Sequence, residues 1–260
     1  MKVCFSKRFP IVVCFLLLGL APLALATQAH PVSYLAISPD VEVRRMAPID
    51  VRSTAPIDFR RGIQMSPTLR TGTRLSVEAS MILRNADFAA LMRDARNFGQ
   101  YRQMGMPNLV DSRIVVPGTQ EFVTWTHMAT RVFGTTQTSK HFMQVRLTSG
   151  QNSQRGEGQT WVLYSPTATE RRVHSITVPE QSAFWDFEGA WYMQPLADGS
   201  VYCRYYIAGT MRNRLVGTIF GRGAAMSQFS SGVFQVMTRL ATRAKERASA
   251  PRIRPADSSE

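Results

Sequence analysis

The sequence predicts an α+β fold: a curved antiparallel sheet wrapped around one long C-terminal helix, with two short helices after the first strand. Two observations predict this fold. Strand patterns at 184–196 and 201–207 are joined by the turn Ala197-Asp-Gly-Ser200, and an amphipathic segment without proline follows at 222–247. A wide hairpin that leads into a final helix allows a curved sheet to wrap around that helix and to leave space between sheet and helix. This fold class therefore predicts a pocket, lined by aromatic residues and methionine.

Apolar residues recur every three or four positions along the long C-terminal segment. At about 100° per residue they form a single stripe about 100° wide, which consists of Met226, Phe229, Val233, Val236, Met237, Leu240 and Ala244. Cations are concentrated at 239–247, where positive charge suits the C-terminal end of a helix dipole. A stripe buried in an ordinary core is one interpretation. We favour a core that also contains a pocket, because ligand sites are concave and mostly apolar.

Further strand patterns, separated by turn-rich connectors, precede this helix. The first is 74–83, in which apolar and polar side chains alternate. A helix capped by Asn85 is expected at 88–97, and a short turn follows it near Met104. The remaining predicted strands are 109–116, 121–130, 140–148, 159–164, 173–178, 184–195 and 201–210. This order of elements predicts an antiparallel sheet in an α+β arrangement.

The N-terminal residues have the three parts of a secretory signal peptide. Cations at positions 2, 7 and 8 precede an apolar run, and Ala24-Leu25-Ala26 is a cleavage site of the small-x-small type. We therefore expect residues 1–26 to be removed and the mature protein to be exported, to a periplasm or out of the cell. Cys203 is then the single remaining cysteine, which excludes an internal disulfide. Its place inside a strand pattern indicates a buried, inert thiol.

Residues 27–70 differ in composition from the rest of the chain, since prolines recur at 31, 39, 48, 56 and 67. This spacing excludes a long helix. We interpret the segment as a basic arm or linker that is disordered and that folding does not need. The alternative is an ordered strap docked through Ile49, Ile57 and Phe59. The folded domain is expected at 71–248, with a flexible tail at 249–260.

The strongly basic net charge indicates which kinds of binding partner are to be expected. The formal net charge is +13, and arginine dominates without a dense block in the folded part. Such dispersed charge favours a solvated surface and, in an exported protein, transient contact with an anionic membrane surface. Aromatic residues in strands would suit stacking on bases. The basic, glycine-rich sheet motif of RNA-binding proteins is absent from the sequence, so nucleic acid is not expected as a partner.

Three ordered features span residues 73–248. They are a strand leading into paired short helices at 77–101, a hairpin with Gly189-Ala-Trp191, Gln194-Pro-Leu196 and Asp198-Gly199, and Arg214-Leu-Val216 leading into the final helix. Together they resemble the START-like, helix-grip superfamily, which includes polyketide cyclases, coenzyme-Q-binding proteins and lipid-transfer domains. The resemblance implies the helix-grip fold and a hydrophobic cavity. It implies no reaction, because members differ in what lines the cavity and no catalytic signature is visible.

The expected ligand site lies between the long helix and the concave face of the sheet. The helix is predicted to contribute Phe229, Val233 and Met237. Alternate strand residues are predicted to complete it: Trp125, His127, Met143, Val145, Trp161, Trp191 and Tyr206. A single bulge reverses which side chains face inward, so the strand residues depend on register.

The sequence thus favours an exported carrier that holds a hydrophobic or amphiphilic small molecule, such as a lipid, with no catalytic residue and no cofactor. One alternative is a cyclase- or hydratase-like enzyme acting on a polyketide-like substrate, for which His127, Arg146 and the tyrosines are the acid–base candidates. Another is an interaction module with a vestigial cavity. No histidine pair has metal-ligand spacing, so no metal is expected.

Overall fold

The structure is a computed structural model that describes residues 46–69, 73–132, 135–149, 156–212 and 219–250. Several parts of the chain discussed above lie outside these residues. They are the predicted signal peptide, the first part of the arm, nearly all of the predicted tail and Arg214-Leu-Val216.

Nine strands of the described chain hydrogen-bond into one curved sheet. Their spatial order is β1 (Ile49–Asp50), β3 (Arg74–Arg84), β9 (Val201–Met211), β8 (Phe184–Pro195), β7 (Glu157–Tyr164), β6 (Thr135–Ser149), β5 (Glu121–Val132) and β4 (Leu109–Val116), and β2 (Ile63–Leu69) also pairs with β3. All pairs are antiparallel except β1 with β3. From β4 to β9 each strand pairs with the next along the chain, which agrees with the predicted antiparallel sheet.

Four helices and one short 3-10 turn accompany the sheet in the described residues: α1 (Phe59–Gly62), α2 (Phe88–Arg96), the turn Phe98–Gln100, α3 (Ala168–Val173) and α4 (Ile219–Ser249). Helix α2 is capped at its N-terminus by Asp87, whose carboxylate accepts a hydrogen bond of 3.0 Å from the amide of Ala90. The predicted cap, Asn85, instead has a φ of 59° and donates to Asp50. Two short helical elements thus follow β3, as predicted.

Helix α4 lies against the concave face of the sheet and packs on β3 and β2. Its apolar stripe is buried, and Val233, Met237 and Leu240 are enclosed in the main core. The concave sides of β3 and β9 supply the facing residues of that core, such as Val77 and Cys203. The predicted fold class, a curved sheet around one long helix, is therefore confirmed.

The cations at the end of α4 connect this helix to α2 and the turn that follows it. Asp94 is 4% exposed and forms ion pairs with both Arg243 and Arg247. Nε of Arg239 donates to the carbonyl of Met104 at 2.5 Å. These contacts add to the favourable placement of positive charge at the helix C-terminus. The last part of α4 is therefore held at several points.

Residues 46–69 are an ordered part of the sheet. Strand β2 pairs with β3 over its whole length, and β1 pairs with Leu83 and Arg84. Four side chains of the segment are buried in the main core: Met46, Ile49, Val51 and Ile63. Pro67 is tolerated because β2 is an edge strand, where a missing N–H leaves no ladder bond unmade. The structure thus contradicts a disordered tether for 46–69 and favours the ordered strap.

The predicted strand at 173–178 is wrong. Residues Ala168–Val173 form α3, which begins with a capping box in which Thr167 and Glu170 bond each other's amides at 3.2 and 2.7 Å. The rest of the connection to β8 contains no strand in the structure. Ile176 and Val178 pack on the convex face of the sheet with Val123, Trp125 and Phe142, in a second, smaller core. These residues are apolar because they cover the convex face of the sheet, and this gives the segment the sequence pattern of a strand.

Candidate ligand-binding cavity

A cavity of about 190 Å³ lies between α4 and the concave face of the sheet. That is many times the space that one water molecule needs, whereas close-packed cores seldom leave voids larger than one water. The first half of α4 forms the roof, strands from β4 to β9 form the walls, and the loop 106–109 closes one side. The roof side chains belong to Ala225, Gln228, Phe229, Gly232, Val233 and Val236.

Aromatic rings form one wall of the cavity. The rings of Trp191 and Tyr205 lie 4.3 Å apart between centroids, and Trp161 lies 5.8 Å from the same tyrosine. Gly189 makes this arrangement possible, because a Cβ atom there would lie 2.3 Å from the Trp161 ring. The Gly189-Ala-Trp191 motif therefore has a physical role: its glycine leaves room for one indole, and its tryptophan supplies the second.

A bulge at the start of β8 brings two phenylalanines to the cavity. The register shifts between Phe184 and Asp186, so that Phe184 and Phe187 both line the cavity. Asp186 and Glu188 lie on the convex face, where both form ion pairs with Arg74. These two carboxylates are therefore not available for acid–base chemistry inside the cavity.

The described residues that line the cavity include no Asp, Glu, Lys or Arg. The polar side chains in the lining are neutral ones: Tyr101, Asn108, Ser112, Thr126, Thr138, Ser139, Tyr205 and Gln228. Burial raises the pKa of Tyr101 and of Tyr205, so both phenols stay protonated at physiological pH. The site is thus an apolar enclosure with a few uncharged hydrogen-bonding groups.

Five of the ten predicted site residues line this cavity: Met143, Trp161, Trp191, Phe229 and Val233. Val145 and Met237 are buried in the adjacent core without reaching it. Their role in binding stays a prediction.

Trp125, His127 and Tyr206 do not line the cavity, and the structure corrects their placement. Trp125 belongs to the convex core, where its Nε1 donates to the carbonyl of Pro179 at 2.8 Å. His127 lies beside Trp125, with 6.0 Å between the ring centroids. The hydroxyl of Tyr206 donates to Glu188 at 3.3 Å. Their sequence neighbours face inward instead: Thr126, Met128 and Tyr205.

This error has a physical reason. A strand that is covered on both sides is buried on both faces, so the alternation of apolar and polar residues does not tell which face is the concave one. Strand β5 is of this kind, because the connection at 165–183 covers its convex side. The loop 106–109 and Ser139 were also missed, since loop and small polar residues carry no periodic signal.

Three further observations concern the described residues. No three His, Cys, Asp or Glu side chains among them converge in a way that could hold a metal ion. None of their helices is both long enough and apolar enough to cross a membrane. Cys203 is buried, and burial raises the pKa of its thiol, which agrees with the expected lack of reactivity.

Comparisons with known proteins identify the fold. The sequence matches no protein-family model and no curated protein. The STAR-related lipid transfer protein of Xanthomonas axonopodis (fragment 25–204) aligns with a TM-score of 0.50 at 12% identity, covering 74% of this chain and 97% of its own. Human StAR-related lipid transfer protein 5 aligns with a TM-score of 0.51 at 10% identity, covering 80% and 92%. Zhui aromatase/cyclase from Streptomyces sp. R1128 aligns with a TM-score of 0.47 at 12% identity, covering 68% and 97%.

The class of architecture is therefore α+β with a sheet gripping a long helix. More particularly, the chain has the START-like helix-grip fold, as the resemblance in the sequence implies. At 10–12% identity this likeness concerns the fold alone.

Proposed function

We propose that the protein is an exported carrier that holds a hydrophobic or amphiphilic small molecule, of lipid type, in the cavity under α4. The cavity carries this proposal, because it measures about 190 Å³ and its described lining is free of charge. Each methylene group moved from water into such a lining contributes about 0.8 kcal/mol. Ten carbons would contribute about 8 kcal/mol, comparable with the 4–15 kcal/mol or so that association costs. Ligands of about ten carbons or more are therefore favoured.

A carrier is better supported than an enzyme. Two solved proteins with this fold are named as lipid transfer proteins. His127 and Arg146, the acid–base candidates of the cyclase- or hydratase-like alternative, are absent from the cavity lining, and Arg146 forms an ion pair with Glu121. The buried tyrosines hold their protons too tightly for a general base at neutral pH.

Export and transient contact with an anionic membrane surface belong to the same proposal. The pattern of residues 1–26 supports export to a periplasm or out of the cell. Removal of Lys2, Lys7 and Arg8 with the signal peptide lowers the formal net charge from +13 to +10, and this positive charge supports attraction to anionic lipid headgroups. Cell fractionation and N-terminal sequencing test the first part, and the expected mature N-terminus is Thr27. Binding to vesicles with and without anionic lipid tests the second.

Native mass spectrometry and organic extraction of the purified mature protein test the carrier itself. We expect a co-purified apolar molecule. Val233→Trp enlarges a roof side chain and should abolish that molecule while the melting temperature is retained. Gln235→Trp is the matched control, because this residue is exposed two positions further along α4. Its ligand content should equal that of the unaltered protein.

Two results would contradict the carrier. If no bound molecule is ever found and Val233→Trp lowers the melting temperature strongly, the roof is ordinary core and overpacking explains the loss. The interaction module would then be the better hypothesis. Turnover of a thioester or polyketide-like substrate by the purified protein would instead favour the enzyme.

A further inference from the structure

Three buried polar side chains lie in register across neighbouring strands of the concave face. Ser112 on β4 pairs with Thr126 on β5, which pairs with His141 on β6. They are 5%, 4% and 0% exposed, respectively. Ser112 Oγ, Thr126 Oγ1 and His141 Nε2 are all buried and have no hydrogen-bond partner among the described residues. We call these three residues the polar row.

Such a row is unusual in a folded protein. More than about nine in ten buried polar groups are hydrogen-bonded, and an unmade bond costs the desolvation of the group. Here three unmade bonds occur side by side. Ser112 and Thr126 line the cavity, although their hydroxyl oxygens are enclosed in the rotamers of this structure. A bound molecule supplies the missing partner when either hydroxyl turns towards the cavity about χ1, which has three staggered positions.

His141 is held in place by contacts on its other side. Its Nδ1 lies 3.1 Å from Ser139 Oγ, which also accepts a hydrogen bond of 3.0 Å from the amide of Ala183. The imidazole packs against Phe184 and Phe187, with centroids 6.5 and 5.7 Å away. Burial lowers the pKa of His141 to about 4, so the ring is neutral at physiological pH. In either tautomer, Nε2 then provides one donor or one acceptor.

The position of the row indicates how a ligand would lie. On β5, Met128 lies on the side of the row that is nearer the β5–β6 hairpin, and on β6, Met143 lies on the opposite side. Trp161 and Trp191 continue the cavity lining beyond this second methionine. A molecule with its polar group at the row can therefore place its apolar body against the two indoles.

The charge of the site restricts that polar group. None of the described lining residues is charged, so a carboxylate, phosphate or ammonium group buried there would lose its hydration without gaining a counter-ion. A hydroxyl or carbonyl group meets no such penalty and can bond to the hydroxyls of Ser112 and Thr126.

We propose that Ser112 and Thr126 of the polar row bind an uncharged oxygen at one end of the ligand, so that this protein selects neutral alcohols and ketones of lipid type over lipids whose charged head would have to be buried. The inference rests on the proposed carrier function and adds the ligand class. It assigns Ser112 and Thr126 as specificity residues, and His141 is the buried neighbour of Thr126 that does not itself line the cavity.

A series of ten-carbon probes tests the selection. Decan-1-ol, decan-2-one, decanoate and decylamine share one chain length and differ in their polar end. Binding to the delipidated mature protein is measured at pH 7.4 by displacement of the neutral dye Nile red and by tryptophan fluorescence. The alcohol and the ketone should bind at least about tenfold more tightly than the two ions.

Thr126→Val removes one hydroxyl of the row and keeps the shape of the side chain. The affinity for decan-1-ol should fall about 3- to 10-fold, the range for one neutral hydrogen bond. Nile red binding should not change, and the melting temperature should stay or rise, because an unpartnered buried hydroxyl is lost. Thr124→Val is the matched control, since Thr124 is buried on the same face of β5 but does not line the cavity. Ser112→Ala provides a second variant of the row.

The possible results separate the two hypotheses. If neither Nile red nor any decyl probe binds, the carrier itself is wrong. If the probes bind but decanoate equals or exceeds decan-1-ol, or if neither Thr126→Val nor Ser112→Ala changes the preference, the role of the polar row is refuted and the carrier stands.

Discussion

Substitution of the buried Ile63 tests whether residues 46–69 belong to the folded domain. Ile63 is 4% exposed, begins β2 and is paired with Met81 of β3. Truncation of a buried isoleucine to alanine removes apolar contacts and leaves a cavity, which destabilises by about 2–5 kcal/mol. The whole free energy of unfolding of a typical domain is about 5–15 kcal/mol, so Ile63→Ala should have a large effect.

Urea unfolding followed by tryptophan fluorescence measures this effect. With a denaturant dependence of about 2.5 kcal/mol per molar urea, in the upper part of the usual range because the domain is large, Ile63→Ala should lower the midpoint by about 1–2 M. Gln64→Ala is the control, because Gln64 is the next residue of β2 and is exposed. Its effect should stay within about 0.5 kcal/mol, as for other surface positions. An equally small effect for Ile63→Ala would refute the ordered strap and restore the disordered tether.

Three further predictions concern the core and the cavity wall. Gly189→Ala should destabilise by about 1–3 kcal/mol and change the near-UV circular dichroism, because its Cβ would displace the indole of Trp161; an unchanged spectrum would contradict the contact. Cys203 should resist a bulky maleimide in the native protein and react after unfolding, since it is buried; rapid native labelling would disprove this. Because the pKa of His141 falls from 6.5 to about 4 on folding, the unfolded chain takes up the proton first on acidification. The free energy of unfolding should therefore fall by about 3 kcal/mol from pH 6.5 to 4, and urea melts of His141→Phe should lack this fall.

Much of the fold follows from local patterns in the sequence. The bounds predicted for β4, at 109–116, and for β8, at 184–195, agree with the structure. In both cases turn residues stand at the ends of an alternating segment, so the two signals coincide. Helix α4 was recognised for the same reason, since its stripe is long and contains no proline.

The parts that were missed depend on contacts distant in the chain. Strand β2 contains a proline and polar residues, and it becomes a strand because the edge of β3 is free to receive it. The connection at 165–183 looks like a strand because the convex face needs an apolar cover. The choice between Trp125 and Thr126 as the inward residue is decided by the same cover. None of these contacts is visible as a period along the sequence.

Strand β5 is a shared wall between two hydrophobic compartments, and this makes its register critical. A slip of one residue would move Trp125 into the cavity and Thr126 out of it. Because both faces of the strand are buried, burial alone would penalise that error little. Two specific contacts oppose it: the hydrogen bond from the Trp125 indole to Pro179, and the guanidinium of Arg113, 4.8 Å from the centre of the same ring. These two contacts on the convex face therefore hold the register that leaves the cavity open on the concave face.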